Sequence, residues 1–211
     1  RVRAWAHERS LWLDEVLLAT NIRDRDTVQL LTQSLSNSQS APPGFLVLTD
    51  LGSSVWGLSE LGLRLLPMMA SIGSVVIAVA AGRRLFTSRA AQLAFVSFLA
   101  FSPVLIYYSQ EFKQYSLDVL ATLVVLLMWV RRDQWAPHWT YGLVGLLLVQ
   151  FSITAVFSLL ALGTSLMIEW LFKYRPIAHV GQEFRRHLKV FFFWLVGGVL
   201  HGLYLLTAPP N

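Results

Sequence analysis

Apolar residues along this chain fall into long blocks bounded by charge, with little strand-like alternation. Six blocks stand out, at 60–82, 89–108, 114–130, 138–152, 154–172 and 190–206. Several approach the roughly 20 residues a helix needs to cross a bilayer. The fourth and fifth are short and parted only by the stretch "SIT". That stretch fits either a tight hairpin or a broken element lining a cavity. Residues 1–58 follow another rhythm. Leu13, Val16 and Leu17, then Val28, Leu31 and Leu35, recur at roughly helical spacing, with "NIRDRD" between them. This pattern predicts one or two amphipathic helices lying on a membrane surface, with Trp5 and Trp12 near the headgroups. "SLSNSQSAPPGF" reads as a loop, since Pro42 and Pro43 oppose helix and Gly44 permits a turn. The predicted fold is all-α: a polytopic transmembrane bundle of about six spans over 59–211, preceded by an extracytoplasmic segment over 1–58.

Composition strengthens the membrane reading. The chain is 55% hydrophobic and 14% charged, with a mean hydropathy of +0.55. A soluble domain of this length needs more charge to cover its surface. There is no cysteine, which excludes disulfides, thiol chemistry and Cys-based metal sites. The net charge of +5 is not a nucleic-acid footprint, because its distribution follows the spans. Arg83, Arg84, Arg89, Arg131, Arg132, Lys173, Arg175, Arg185, Arg186 and Lys189 share their loops with only Asp133 and Glu183. Residues 1–58 instead hold five Arg against six acids. The positive-inside rule therefore puts loops 83–89, 131–137 and 173–189 in the cytoplasm. The N-terminal segment, the turn at 109–113 and the C-terminal "TAPPN" then lie outside.

Two acidic sites fall on that outer side. The first is Asp14–Glu15 in "RSLWLDEV", just ahead of an expected interfacial helix. The second is "YYSQEFKQYSLD", residues 107–118. If the third span extends back through it, Glu111, Tyr115 and Asp118 share one helical face. Asp118 would then lie a turn or more inside the apolar zone, where a charge faces protein or a watery cavity. Lys113 adds a cation suited to a phosphate or a carboxylate. Structural roles compete at each position. Asp14 can cap a helix while Glu15 complements its dipole. Glu111 and Lys113 can form a solvated turn, and Asp118 can pair with Lys113 or Arg64. Glu60 and Arg64 fit a helix-end ion pair, His201 a hydrogen-bonded packing residue, and "FFFW" at 191–194 lipid-facing anchors.

The order of these motifs is more specific than any one of them. "RSLWLDE", "SAPPGFLVL", "SELGLRLLP" and "RRLFTSRAAQLAFVSFLAFSPVLIYYSQEFKQYSLDVL" together resemble membrane glycosyltransferases of the GT-C superfamily. The likeness is to the bacterial branch related to protein O-mannosyltransferases and the lipid A aminoarabinose transferase. It covers about residues 9–130, and "FSITAVFSLLALG" more loosely. The resemblance implies a polyprenyl-phosphate-linked sugar donor and an acceptor hydroxyl. It also implies inverting transfer on the extracytoplasmic face of a bacterial inner membrane. It assigns Asp14 as base with Glu15 beside it, and Glu111, Lys113, Tyr115 and Asp118 to a second, donor-phosphate site. It makes no cofactor certain. A divalent cation, held by Asp14 and Glu111, is left open. Such enzymes carry a further span before the Trp–Asp–Glu motif and more after the point where this chain ends. The resemblance therefore implies the N-terminal part of a larger enzyme. The alternative is a truncated, non-catalytic relative that serves as a structural subunit among other membrane proteins.

Overall fold

The computed structural model describes residues 1–6, 9–134, 138–173 and 180–207. Among these the chain is helical and contains no strand. The loops expected at 131–137 and 173–189, and the C-terminal "TAPPN", lie partly or wholly outside the described residues. So do the side chains of Asp133, Glu183, Arg185 and Arg186.

The N-terminal segment forms four helices: α1 (Val2–Trp5), α2 (Leu13–Asp24), α3 (Thr27–Thr32) and α4 (Pro43–Trp56). They are more extensive than the periodicity predicts. Pro43 does not stop a helix; it begins one, because a first-turn residue needs no N–H partner. Gly44 is then a helical residue at a close approach, since a Cβ there would meet the Gln150 carbonyl oxygen at 2.7 Å. The buried face of α2 also differs from expectation. Glu15, Leu18, Asn21 and Ile22 point inward, whereas Leu13 and Val16 are exposed. In α3, Leu30 rather than Val28 is buried. A polar inward face at Glu15 and Asn21 breaks the apolar rhythm that the sequence pattern relies on.

Helix α5 (Glu60–Leu85) follows, capped where Ser59 Oγ accepts the Gly62 N–H at 3.1 Å. With 26 residues, it is the one described helix long and apolar enough to cross a membrane by length and composition. From residue 70 onward its buried side is built of small residues (Ala70, Ser71, Ser74, Ala78, Ala81 and Gly82), which lets neighbouring helices approach closely. The block expected at 89–108 is broken into α6 (Arg89–Phe101) and α7 (Pro103–Tyr108). Pro103 has no N–H to give the Leu99 carbonyl. The Arg1 guanidinium takes over, bonding the carbonyls of Leu99 and Ala100 at 2.7 and 2.6 Å.

The remaining helices are α8 (Tyr115–Val130), α9 (His138–Phe151), α10 (Thr154–Lys173) and α11 (Val180–Thr207). Helix α8 packs on α5 and α10, and α9 on α11. Gly145 of α9 gives room for Trp194, whose indole N–H bonds the Tyr141 carbonyl at 3.2 Å. Trp194 is thus a packing residue, while Phe192 of the same "FFFW" run is exposed. "SIT" is a sharp break with Ser152 fully buried. Across it, α8 and α10 run in the same direction at a nearly constant offset. Thr122 meets Ser158 at 3.5 Å, Trp129 bonds Ser165 at 3.2 Å, and Arg132 pairs Glu169 at 2.8 Å. His201 does not hydrogen-bond as expected; both ring nitrogens are buried with no hydrogen-bond partner among the described residues.

The N-terminal helices share a core with the bundle. Leu18, Ile22, Leu30, Leu35, Phe45 and Leu46 pack with Leu63, Phe112 and Leu117. This core brings the first acidic motif to the second.

Candidate functional site

Arg64 and Glu15 anchor the site. Arg64 is a cation four residues into an otherwise apolar helix, and it is 3% exposed. A charge there needs a buried counter-ion. The sequence spacing offers Glu60, but Arg64 pairs with Glu15 across the fold. Its Nη2 lies 2.8 Å from Glu15 Oε2 and its Nε 3.2 Å from Oε1. Arg64 also bonds the carbonyls of Arg9 and Ser10, fastening the approach to α2 onto α5.

Glu15, 2% exposed, accepts two further bonds. The Trp12 N–H reaches Oε2 at 2.8 Å and the Phe112 N–H reaches Oε1 at 2.5 Å. Burial alone pushes its pKa up. Arg64 and the two backbone N–H groups outweigh burial and hold the carboxyl below its ordinary value. With both oxygens engaged, Glu15 has no lone pair directed at a substrate. Its geometry is that of a clamp joining three segments, 9–15, α5 and the 109–114 turn.

Asp14 is the opposite case. Trp12 occupies the cap position of α2, so Asp14 is not a cap but a first-turn acid. Its side chain is exposed, and among the described residues it takes part in no ion pair. The field of the Asp14 carboxylate reaches Lys113 and Tyr115.

The second motif folds as a turn, not as a backward extension of the third span. Helix α8 starts at Tyr115, and Glu111 lies in the turn before it. Phe112 anchors that turn, fully buried, its ring stacked on Phe45 at 5.5 Å. The residues flanking Phe112 meet the N-terminal segment at Arg9 and Gln39. Lys113 Nζ donates to Gln39 Oε1 at 2.8 Å. Burial lowers its pKa, while Asp14, Glu15 and Glu111 pull it back up. Glu111 lies 4.0 Å from Arg9 Nη2. Tyr115 is exposed, with its ring 4.9 Å from that of Tyr108.

The fold therefore gathers Asp14, Glu15, Glu111, Lys113 and Tyr115 at one end of the bundle. Asp118 points elsewhere. Its Oδ1 accepts the hydroxyls of Ser152 at 2.6 Å and Thr154 at 3.2 Å, so neither Lys113 nor Arg64 satisfies it. Arg9, Gln39 and Tyr107 belong to the cluster but were not legible as such. Arg9 sits within the "RSLWLDE" motif, and that proximity to two acids is the signal that could have found it. Among the described residues no group of three His, Asp or Glu side chains converges around Asp14 and Glu111.

The chain matches no known protein family, no curated protein and no solved structure.

Proposed function

We propose that this chain forms the outer, reacting end of a membrane glycosyltransferase that moves a sugar from a polyprenyl-phosphate donor to an acceptor hydroxyl. Asp14 acts as base. The observation that carries the reading is the contrast between adjacent carboxylates. Glu15 is clamped in the core, and Asp14 is exposed with its charge felt at Lys113 and Tyr115. An exposed carboxylate on a rigid mount, at the same end of the bundle as a cation, is what an inverting displacement from a phosphate ester needs. Asp14 takes the proton from the acceptor O–H as the acceptor oxygen bonds the anomeric carbon. The C–O bond to phosphate breaks on the opposite face, its electron pair leaving with the lipid phosphate. Lys113 offsets that charge. Glu15 does not react; it fixes the distance between Asp14 and the turn that carries Glu111 and Lys113.

The membrane arrangement belongs to the same proposal. Six spans correspond to α5, the broken pair α6–α7, α8, α9, α10 and α11, with the acidic end extracytoplasmic in a bacterial inner membrane. Large apolar side chains on several of these helices face outward, among them Phe98, Phe157, Leu195 and Phe172, the last 82% exposed. Apolar exposure of this kind is expected of a lipid-facing surface. Arg83 and Arg84 end α5 at the opposite, cytoplasmic side.

The test is sugar transfer by the natural full-length protein in lipid nanodiscs, using a synthetic polyprenyl-phosphate sugar and a panel of hydroxyl acceptors. Asp14→Asn is expected to lower kcat by about 10²–10⁴-fold with an unchanged unfolding midpoint. Undiminished transfer by Asp14→Asn would overturn the assignment of the base. No transfer by the wild type, with the protein stable inside a larger membrane complex, would favour the non-catalytic subunit.

A further inference from the structure

Helices α10 and α11 do not close on one another. Helix α11 lies along α9, with Gly142 against the Phe193 ring and Gly197 against Leu146, while α10 packs on α8. Between α10 and α11 this leaves a groove of about 970 Å³. Its floor is made by the buried side chains of Val149, Leu159, Leu166 and Trp194. At mid-length the Phe191 ring reaches Gly163, where a Cβ would meet it at 3.0 Å. That contact sets the register of two antiparallel helices, so the groove runs from Met167 and Leu188 at one end to Val156 and Val199 at the other.

The lining offers an occupant no free side-chain donor. The Thr164 hydroxyl donates to the Leu160 carbonyl at 2.8 Å, and the Trp194 indole N–H to the Tyr141 carbonyl at 3.2 Å. A polar occupant would lose its water and gain nothing, so the groove suits an apolar one. Length decides which. From Val156 to Met167 a helix rises about 16 Å, roughly half of the 30 Å hydrocarbon core that a spanning helix must match. This is the depth of one leaflet. Charge then marks the entrance. Just past Met167 stands the Arg132–Glu169 pair, which is neutral as a unit. Beside Leu188 stands Lys189, exposed and, among the described residues, in no ion pair. Arg185 and Arg186 precede Lys189 by one turn of α11, and Glu183 is the one acid in the sequence from 173 to 189. A basic entrance on the cytoplasmic side is complementary to an anionic headgroup.

We propose that this groove holds one acyl chain of an anionic phospholipid of the cytoplasmic leaflet, with the headgroup at Lys189. The site lies at the opposite end of the bundle from Asp14 and Lys113. It rests on the membrane arrangement proposed above and is independent of the transferase chemistry. The experiment measures lipid retention by the full-length protein, released from nanodiscs into native mass spectrometry. The probes are phosphatidylglycerol and phosphatidylcholine with identical acyl chains. Wild type is expected to retain phosphatidylglycerol the more strongly. Lys189→Gln should weaken phosphatidylglycerol about fivefold, the worth of one cation at a membrane surface, and leave phosphatidylcholine unchanged. Gly198 lines the groove and has open space where its Cβ would stand. Gly198→Phe should therefore fill the groove without a clash. It is expected to weaken both lipids by about tenfold or more, equivalent to some two displaced methylenes, with no loss in unfolding midpoint.

Wild-type retention of both lipids by Gly198→Phe overturns the groove. Equal retention of the two lipids by wild type overturns the anionic headgroup. A dimer that Gly198→Phe disperses assigns the groove to a second copy and overturns the lipid. Release of the protein from membranes by alkaline carbonate overturns the membrane arrangement itself, and this site with it. Absence of sugar transfer leaves each of these readouts intact. Should Gly198→Phe fail to fold, Thr164→Phe on the facing wall decides in the same way: weakened retention supports the site, and wild-type retention overturns it.

Discussion

Two regions of this molecule bury or half-bury a carboxylate in apolar surroundings, and they satisfy it differently. At the end of the bundle, Glu15 meets a full positive charge on Arg64 and two backbone N–H groups. Along the α8–α10 seam, Asp118 meets neutral donors: the hydroxyls of Ser152 and Thr154 and the Thr154 backbone N–H. The first arrangement is an ion pair shut from water, where removing one partner strands the other. The second is a set of neutral-donor hydrogen bonds that closes the α9–α10 break. The difference separates the two acids by role. The ion pair ties three segments into the mount for Asp14, whereas the Asp118 cluster ties α8 to the start of α10.

The largest expected effect breaks the first arrangement. Arg64→Met leaves Glu15 buried and unpaired, at a cost of about 3–5 kcal/mol. Thermal unfolding in detergent, followed by near-ultraviolet circular dichroism, is expected to show a midpoint lower by roughly 6–20 °C. The double variant Arg64→Leu with Glu15→Met should recover most of the loss, because an apolar pair of similar volume leaves no stranded charge. A near-normal midpoint in Arg64→Met would remove the ion pair from the account of the fold.

Acid sharpens the same comparison. The carboxyl of Glu15 is held below its unfolded value, which is about 4.3. Its contribution is therefore fully present above that pH, and is lost as pH falls through the lower folded value. Wild-type stability is expected to drop as pH falls below about 4.3, with part of the drop absent in Glu15→Gln. Identical acid profiles for the two proteins would contradict this origin of the pH dependence.

A smaller effect is expected at the second region. Asp118→Ala removes a charged acceptor from two hydroxyls, one of them on the fully buried Ser152. The cost is about 1.5–3 kcal/mol, and Asp118→Asn, which keeps an acceptor, should cost less. On the proposed transferase reading, Asp118 serves helix packing, and sugar transfer per folded molecule should be unaffected by Asp118→Asn. A loss of turnover at constant stability would return Asp118 to the reacting site.

The sequence pattern carried the helical class and the grouping of acids, because apolar blocks and charge asymmetry are written locally. It missed the break at Ser102–Pro103, since the apolar run continues unbroken through it. It placed Arg64 with Glu60 because spacing on one helix is visible in a sequence. The actual partner, Glu15, lies 49 residues away. The inward turn of Glu15 had the same cause: an acid on the buried face of α2 contradicts the apolar periodicity and makes sense only once Arg64 is beside it. Asp14 and Glu15 are neighbours of nearly identical chemistry, and only the packed fold distinguishes the exposed one from the clamp.

The smallest effect belongs to the far end of the α8–α10 seam, where the comparison with Glu15 is most direct. Arg132 pairs with Glu169 at 2.8 Å, the same distance as Arg64 to Glu15, and Arg132 also lies 4.9 Å over the Trp129 ring. Geometry alone would rank the two pairs as equals. Exposure does not: Glu169 is 36% and Arg132 27% accessible, so water and salt screen the attraction and no stranded charge remains when one partner goes. Glu169→Gln is therefore expected to cost about 0.2–1 kcal/mol and to lose even that in high salt, whereas the Arg64→Met penalty should persist. Unfolding midpoints of both variants at low and high ionic strength make the measurement. A salt-insensitive loss at Glu169 as large as that at Arg64 would mean that length, not burial, sets the strength of ion pairs in this fold.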